Sequence, residues 1–252
     1  MIAVPIIDHK RCTLCRRCVT VCPKRVLVVE GKRIKTVEEE CILCSHCYSV
    51  CRYGAIRFDP DALRAITMES FEYKEKLITP GAFRPGDLVN FVRSRRSVRK
   101  FKQKPLDDAV FSDLFEFVVT APSGSNCQTW EFLALNGREK VWGLALEIRK
   151  FFIRLNGLAK NPLVRYLSVP FIGTALIRYY NDHMESVEMA LKEFEAGNDL
   201  LFHGAPAIII VHGKPEGSTP LEDAQFASNN MTLLAHALGL GTCYIGYAVQ
   251  SI

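Results

Sequence analysis

Ten cysteines offer the most chemistry in this 252-residue chain, and eight of them fall between positions 12 and 51. They form two runs, Cys12, Cys15, Cys18 and Cys22, then Cys41, Cys44, Cys47 and Cys51, with each later member 29 positions after its counterpart. Four equal offsets mark a duplicated unit. Each run reads C-x2-C-x2-C-x3-C. Three thiolates at intervals of three surround one corner of an iron–sulfur cubane, and the fourth, one helical turn on, reaches across to the other cluster. The spacing therefore predicts two [4Fe–4S] clusters. Cys12, Cys15, Cys18 and Cys51 would hold one, and Cys41, Cys44, Cys47 and Cys22 the other. The competing chemistry is a pair of structural zinc sites, which use separated C-x2-C pairs. The opening Met1 to Ile7 has neither a basic start nor a signal-length apolar run, so the expected location is cytoplasmic. Ten cysteines in that compartment argue for metal rather than disulfides.

The second concentration of chemistry is basic. Between Arg84 and Lys104 there are eight Lys or Arg and one acid, Asp87, although the whole chain carries only +5. The run Arg95-Arg96-Ser97-Val98-Arg99 reads either as a solvated or nucleic-acid-binding face or as a phosphate site. Guanidinium groups match phosphate oxygens in a bidentate way, and serine adds a neutral donor. A third candidate is the loop Pro122-Ser123-Gly124-Ser125-Asn126-Cys127-Gln128, whose Ser, Asn and Gln can bond the edge of a flat heterocycle. The segment Gly241 to Gly246 has P-loop spacing, but Tyr247 stands where lysine is required, so no ATP site is expected. No G-x-G-x-x-G follows a strand, which leaves a Rossmann dinucleotide site unsupported. The six histidines form no metal-spaced pair, and Cys127 and Cys243 read as ordinary small residues.

Several elements must position these groups. Val26 to Ile34 reads as a hairpin turning at Glu30-Gly31-Lys32, and Gly54 to Phe58 as a closing strand. Turn signals recur from Asp59 to Pro85, a connector with room for one short helix. A helix is expected from about Asp87, with Leu88, Val89, Phe91 and Val92 as its apolar face. Another is expected over Asp107 to Val119, then a strand over Glu131 to Leu135 and a fully buried strand over Gly204 to Val211. A long helix should begin at Glu222 or Asp223, run through Ala224, Ala227, Met231, Leu234, Ala235 and Leu238, and stop at Gly239.

Residues 1–60 resemble the bacterial two-cluster ferredoxins, with Arg52 where that family usually has proline. The ordered series Arg95-Arg96-Ser97-Val98-Arg99, Pro122-Ser123, Asn126, Gln128, Trp130, Gly204-Ala205-Pro206 and His236 to Thr242 resembles the nitroreductase-like flavoproteins. The whole chain is similar to their ferredoxin-fused branch. That resemblance implies an α+β fold: a two-cluster ferredoxin-like domain, then a domain with a central mixed sheet flanked by helices. It implies domains at 1–60 and 87–252, joined by a linker at 61–86. It also implies FMN at a homodimer interface. Arg95, Arg96, Ser97 and Arg99 would grip its phosphate and pyrimidine side, and Ser123, Asn126 and Gln128 would line ring and ribityl chain. Ile245, Gly246 and Tyr247 would lie beside the flavin, with a backbone N–H near N5. Arg149 to Asn181 corresponds to a variable insertion that covers the substrate face. The family continues past the equivalent of Ile252 with a helix and strand that reach the partner subunit. The expectation here is therefore a truncated copy or a differently built dimer.

The functional expectation is an oxidoreductase that takes electrons through its clusters to FMN and on to a small electron-poor acceptor such as a nitroaromatic, a quinone or an activated alkene. The donor would be of the ferredoxin or nicotinamide type. The alternative is a carrier that serves a partner redox protein. A pocket over the flavin would favour the enzyme, and an exposed flavin edge with a basic rim the carrier. Neither nucleic acid nor membrane is an expected partner: flavin phosphate accounts for the central arginines, and Tyr166 to Ile177 is only about half a membrane span.

Overall fold

The computed structural model describes residues 4–37, 41–59, 66–74, 76, 78, 80–249 and 251. They form two compact units. The first comprises residues 1–76, 115–131 and 211–230, and the second residues 77–114, 132–210 and 231–252.

In the first unit the cysteine runs each lead into a short helix, α1 (Arg17–Val21) and α2 (His46–Ser49). Strand β1 (Ile6–Ile7) pairs antiparallel with β4 (Ile56–Arg57), in register Ile6 to Arg57 and Ile7 to Ile56. Strands β2 (Leu27–Glu30) and β3 (Arg33–Thr36) form the expected hairpin, with Leu27 opposite Thr36 and Glu30 opposite Arg33. Gly31 takes φ +58 at the tip, a conformation glycine adopts without steric cost. Leu27, Ile34, Cys47 and Ile56 form the buried core of this half. Cys12, Leu14, Cys18, Val19 and Cys51 pack against it, so this core holds both cysteine runs.

The described part of the connector (66–74, 76, 78, 80–84) contains no helix, and the remainder lies outside the described residues. Helix α3 (Pro85–Ser94) starts two residues before the expected Asp87. Pro85 takes the first helical position, where a missing N–H costs nothing. Asp87 instead lies in the first turn and accepts two bonds from the Arg84 guanidinium, at 2.7 and 2.6 Å. Its Leu88, Val89 and Val92 are exposed rather than packed.

Helix α4 (Asp108–Val118) buries Phe111, Leu114 and Val118, and strand β5 (Trp130–Asn136) pairs with β6 (Ala207–Gly213). Strand β6 is half-buried with His212 exposed, so its apolar run is covered less completely than expected. Five helices lie between these strands: α5 (Arg138–Lys160), α6 (Pro162–Leu167), α7 (Val169–Ile172), α8 (Ala175–Asp182) and α9 (Met184–Glu195). Their core joins Val141, Ala145, Ile148 and Phe152 of α5 to Leu176 and Tyr179 of α8 and Phe194 of α9. Trp142 stacks on Phe194 with centroids 4.2 Å apart. Buried Asn156 is satisfied by the Tyr179 hydroxyl at 2.6 Å. Helix α10 (Pro220–Ala237) begins two residues before Glu222, because Thr219 and Pro220 supply the start. It buries Ala224, Ala227, Met231, Leu234 and Ala235. It ends as expected at Gly239, whose φ of +75 lets Leu240 N reach the Ala235 carbonyl. The last helix is α11 (Gly246–Val249). Among the described residues, no helix is long and apolar enough to cross a membrane.

Candidate cofactor sites

The two cysteine runs line two voids, and their ligand sets cross. One partly open void is lined by Cys12, Cys15, Cys18 and Cys51. The other is lined by Cys22, Cys41, Cys44 and Cys47. The backbone repeats with the sequence. Leu14 and Arg16 have φ of 55 and 63, and their counterparts Leu43 and Ser45 have 52 and 56. In both runs, left-handed residues therefore flank the second cysteine, Cys15 or Cys44. The thiol that leaves each run is also treated alike: Val26 N donates to Cys22 Sγ at 3.3 Å, and Ala55 N to Cys51 Sγ at 3.2 Å.

The rest of each lining is largely apolar, with Val26 and Phe58 at one void and Ile7, Ile34 and Ile56 at the other. Burial pushes the Cys47 thiol up to about 11, with Cys22, Cys41 and Cys44 adding to the shift. Burial likewise raises Cys18, helped by Cys12 and Cys15. Four thiolates crowded into such a void require compensating positive charge. Four thiols around each void are the number of ligands that a four-iron cluster takes.

The loop from Ser123 to Gln128 belongs to the same unit as the cysteines. It contains a single 3-10 turn (Gly124–Asn126), and Ser125, Asn126 and Gln128 all have positive φ, at 52, 55 and 47. Such backbone persists only where its surroundings over-determine it. Much of that determination comes from Asp223, a buried carboxylate on α10. Its Oδ1 accepts from Gly124 N at 2.9 Å and from Thr219 Oγ1 at 2.8 Å, and its Oδ2 accepts from Cys127 Sγ at 3.5 Å. Ser123 Oγ accepts from Gln128 N at 3.1 Å, and Gln128 Nε2 donates to the Val119 carbonyl at 3.4 Å. Glycine is required at 124, since a Cβ there would lie 2.4 Å from Thr219 Oγ1. Asp223 was legible only as a helix-start residue. Its grip on a loop 99 positions earlier has no signal in the sequence.

The basic run belongs to the second unit. Arg95 ends α3 in extended backbone, and Ser97 forms a parallel bridge to Thr242, with Val98 N donating to the Thr242 carbonyl at 2.9 Å. The run is thus held beside the segment that ends in Ile245, Gly246 and Tyr247. Gly241 makes this approach feasible, since a Cβ there would come within 2.8 Å of Val98. The Arg96 guanidinium turns back onto the carbonyls of Arg93 and Arg95. Among the described residues, Arg95, Arg96 and Arg99 have no acidic partner. Desolvation holds His203 below the usual imidazole range, and the positive charge of Arg99 adds to that effect. Ile245 is half-buried against the helical core, Gly246 is exposed, and the Tyr247 ring meets the rings of Phe152 and His183 edge-on at 6.0 and 6.3 Å. Ser123, Asn126 and Gln128 therefore share one unit, while Arg95, Arg96, Ser97, Arg99, Ile245, Gly246 and Tyr247 share the other.

Crossed four-thiol sites thus precede an α+β domain that carries an unneutralised basic segment. The nitroreductase family model matches residues 92–250, and the 4Fe-4S dicluster domain matches residues 4–52. The chain belongs to the nitroreductase family and carries a 4Fe-4S dicluster domain ahead of it. YfhC of Bacillus subtilis (strain 168), named as an NAD(P)H nitroreductase, is 44% identical over 46 residues, 18% of this chain and 24% of the relative. The match thus spans about a quarter of that relative's length. Among solved structures, a BluB-like flavoprotein from Clostridium difficile 630 overlaps with a TM-score of 0.46 at 19% identity, covering 65% of this chain and 76% of the other. An FMN-bound nitroreductase from Desulfitobacterium hafniense DCB-2 overlaps with a TM-score of 0.43 at 24% identity, covering 64% and 70%. The family match carries the assignment.

Proposed function

We propose that this protein passes electrons from two [4Fe–4S] clusters to FMN and on to a small electron-poor acceptor: a nitroaromatic, a quinone or an activated alkene. The observation that carries this reading is the pair of crossed four-cysteine voids in a chain of the nitroreductase family. When bound, the clusters supply one-electron steps and the flavin supplies two-electron chemistry. The chain's own groups do the rest. Cys12, Cys15, Cys18 and Cys51 hold one cluster, and Cys22, Cys41, Cys44 and Cys47 the other. Arg95, Arg96, Ser97 and Arg99 bind the flavin phosphate and pyrimidine side. Positive charge there favours the anionic reduced ring. Ser123, Asn126 and Gln128 line ring and ribityl chain, and Ile245, Gly246 and Tyr247 lie beside the flavin.

No side chain of this set is placed as an acid, base or nucleophile. Stacking on the flavin would position the acceptor. The exposed apolar side chains of α6 and α7, Leu163, Tyr166, Leu167 and Phe171, supply a surface suited to flat, weakly polar molecules. The domain division we propose is 1–60 for the clusters, 61–86 as linker and 87–252 for the flavin. The working form we propose is a homodimer, which the exposed apolar face of α3 supports.

The test is anaerobic turnover. A reduced ferredoxin or an artificial low-potential donor should drive acceptor reduction faster than NADH does. Cys15→Ser should slow that route while direct chemical reduction of the flavin continues. Reduced protein that fails with every nitro, quinone and enone acceptor, yet reoxidises rapidly with a partner redox protein, would establish the carrier instead.

A further inference from the structure

One hydrogen bond joins the second cysteine loop to the proposed flavin-lining loop. Asn126 Nδ2 donates to the Ile42 carbonyl at 2.8 Å, in a partly buried setting. Ile42 lies between Cys41 and Leu43, so its carbonyl belongs to the turn that presents Cys41 and Cys44. Left-handed backbone lies on both sides of the bond, at Asn126 itself (φ 55) and at Leu43 (φ 52), which follows Ile42. The 123–128 loop is held by Asp223, by its own Ser123, by the Val119 carbonyl and by Ile42. Only the last of these holds reaches a cofactor-binding run. Among the described residues, the loops bearing Cys12, Cys15, Cys18 and Cys51 make no hydrogen bond to residues 120–130. Asn126 Oδ1 has no partner among the described residues, so it is available to accept from a ligand.

Resting on the flavin reading above, we propose that Asn126 is a positioning residue that latches the Cys22, Cys41, Cys44 and Cys47 site to the flavin-lining loop, so that filling either site favours filling the other. Filling the cysteine site fixes the turn that offers the Ile42 carbonyl. That fixed carbonyl holds Asn126 in its left-handed conformation, and the loop is then ordered before flavin arrives. Such coupling is reciprocal: bound flavin must tighten the cysteine loop by the same factor. The Cys12, Cys15, Cys18 and Cys51 site has no part in it.

The test uses the full chain with clusters reconstituted anaerobically and FMN as the probe. Cys44→Ala should raise the FMN dissociation constant about fivefold, the size of one hydrogen bond, whereas Cys15→Ala should change it by less than about twofold. Asn126→Ala should cost at least that fivefold, since it also removes the residue's own contact with the flavin, and adding Cys44→Ala to it should cost nothing more. Asn126→Gln, which keeps the amide donor, should recover part of the loss. Equal effects of Cys44→Ala and Cys15→Ala would overturn the proposal, as would a Cys44→Ala effect that persists beside Asn126→Ala. Hydrogen–deuterium exchange provides a second readout if the cysteine variants do not fold. FMN should protect residues 41–45 in the unaltered protein and not in Asn126→Ala, and absence of that protection would also refute the latch. Failure of the unaltered protein to bind FMN at all would instead refute the flavin reading.

Discussion

Protein made without oxygen is expected to contain about eight irons and about eight acid-labile sulfides per chain, the content of two four-iron clusters. The expectation follows from geometry as well as spacing. Each void collects three thiols from one run and one from the other, and each fourth thiol receives a backbone N–H bond, from Val26 or from Ala55. Losing one ligand removes the charge match for three thiols left in a largely apolar lining. Cys44→Ser should therefore cut iron towards about four per chain while the Cys12, Cys15, Cys18 and Cys51 site stays filled. Iron, sulfide and visible absorbance measured on both proteins would check this. A preparation that takes up only zinc, and shows no sulfur-to-iron absorbance after anaerobic reconstitution, would refute the cluster assignment.

Arg96→Glu is expected to strip the flavin. Arg95, Arg96 and Arg99 lie on an extended segment without an acidic partner among the described residues, bridged at Ser97 to the segment ending at Tyr247. An unneutralised cluster of guanidiniums is costly for a fold to keep unless an anion joins it. The substitution removes charge-assisted bonds, each about 1.5–3 kcal/mol. It also sets a carboxylate against the phosphate. Flavin retention should fall by roughly ten- to a hundredfold, read as bound FMN after gel filtration. Heat release and chromatography should identify the flavin as FMN. Undiminished flavin in the variant would show that the phosphate lies elsewhere.

These two sites differ in how much of them the sequence displays. Cluster ligation is local chemistry, so Cys12 to Cys22 and Cys41 to Cys51 point to it, the 29-residue offset marks the duplication, and the fourth cysteine one turn beyond each run points to the crossed pairing. The Gly31 and Gly239 turns are legible for a similar reason, since each conformation is a property of one residue. Helix starts were displaced by two or three residues where a nearby proline, Pro85 or Pro220, offered an earlier first turn. Contacts made by tertiary packing are of another kind. Asp223 reads as a helix-start acid, and nothing in its neighbourhood points to Gly124 or Cys127. The Asn126 bond to Ile42 ends on a backbone carbonyl, which every residue possesses, so no residue type signals it. The helices within Arg149 to Asn181 were legible only as an insertion, because their apolar faces fill a core built from α5, α8 and α9 together.

The most direct measurement of the central claim is an anaerobic reductive titration of the purified protein, followed by absorbance and electron paramagnetic resonance. Two one-electron clusters and a two-electron flavin in one chain should consume about four electrons, with flavin bleaching and reduced-cluster signals both developing. Uptake of only about two electrons, with flavin bleaching and no cluster signal, or cluster signals with no flavin bleaching, would contradict it.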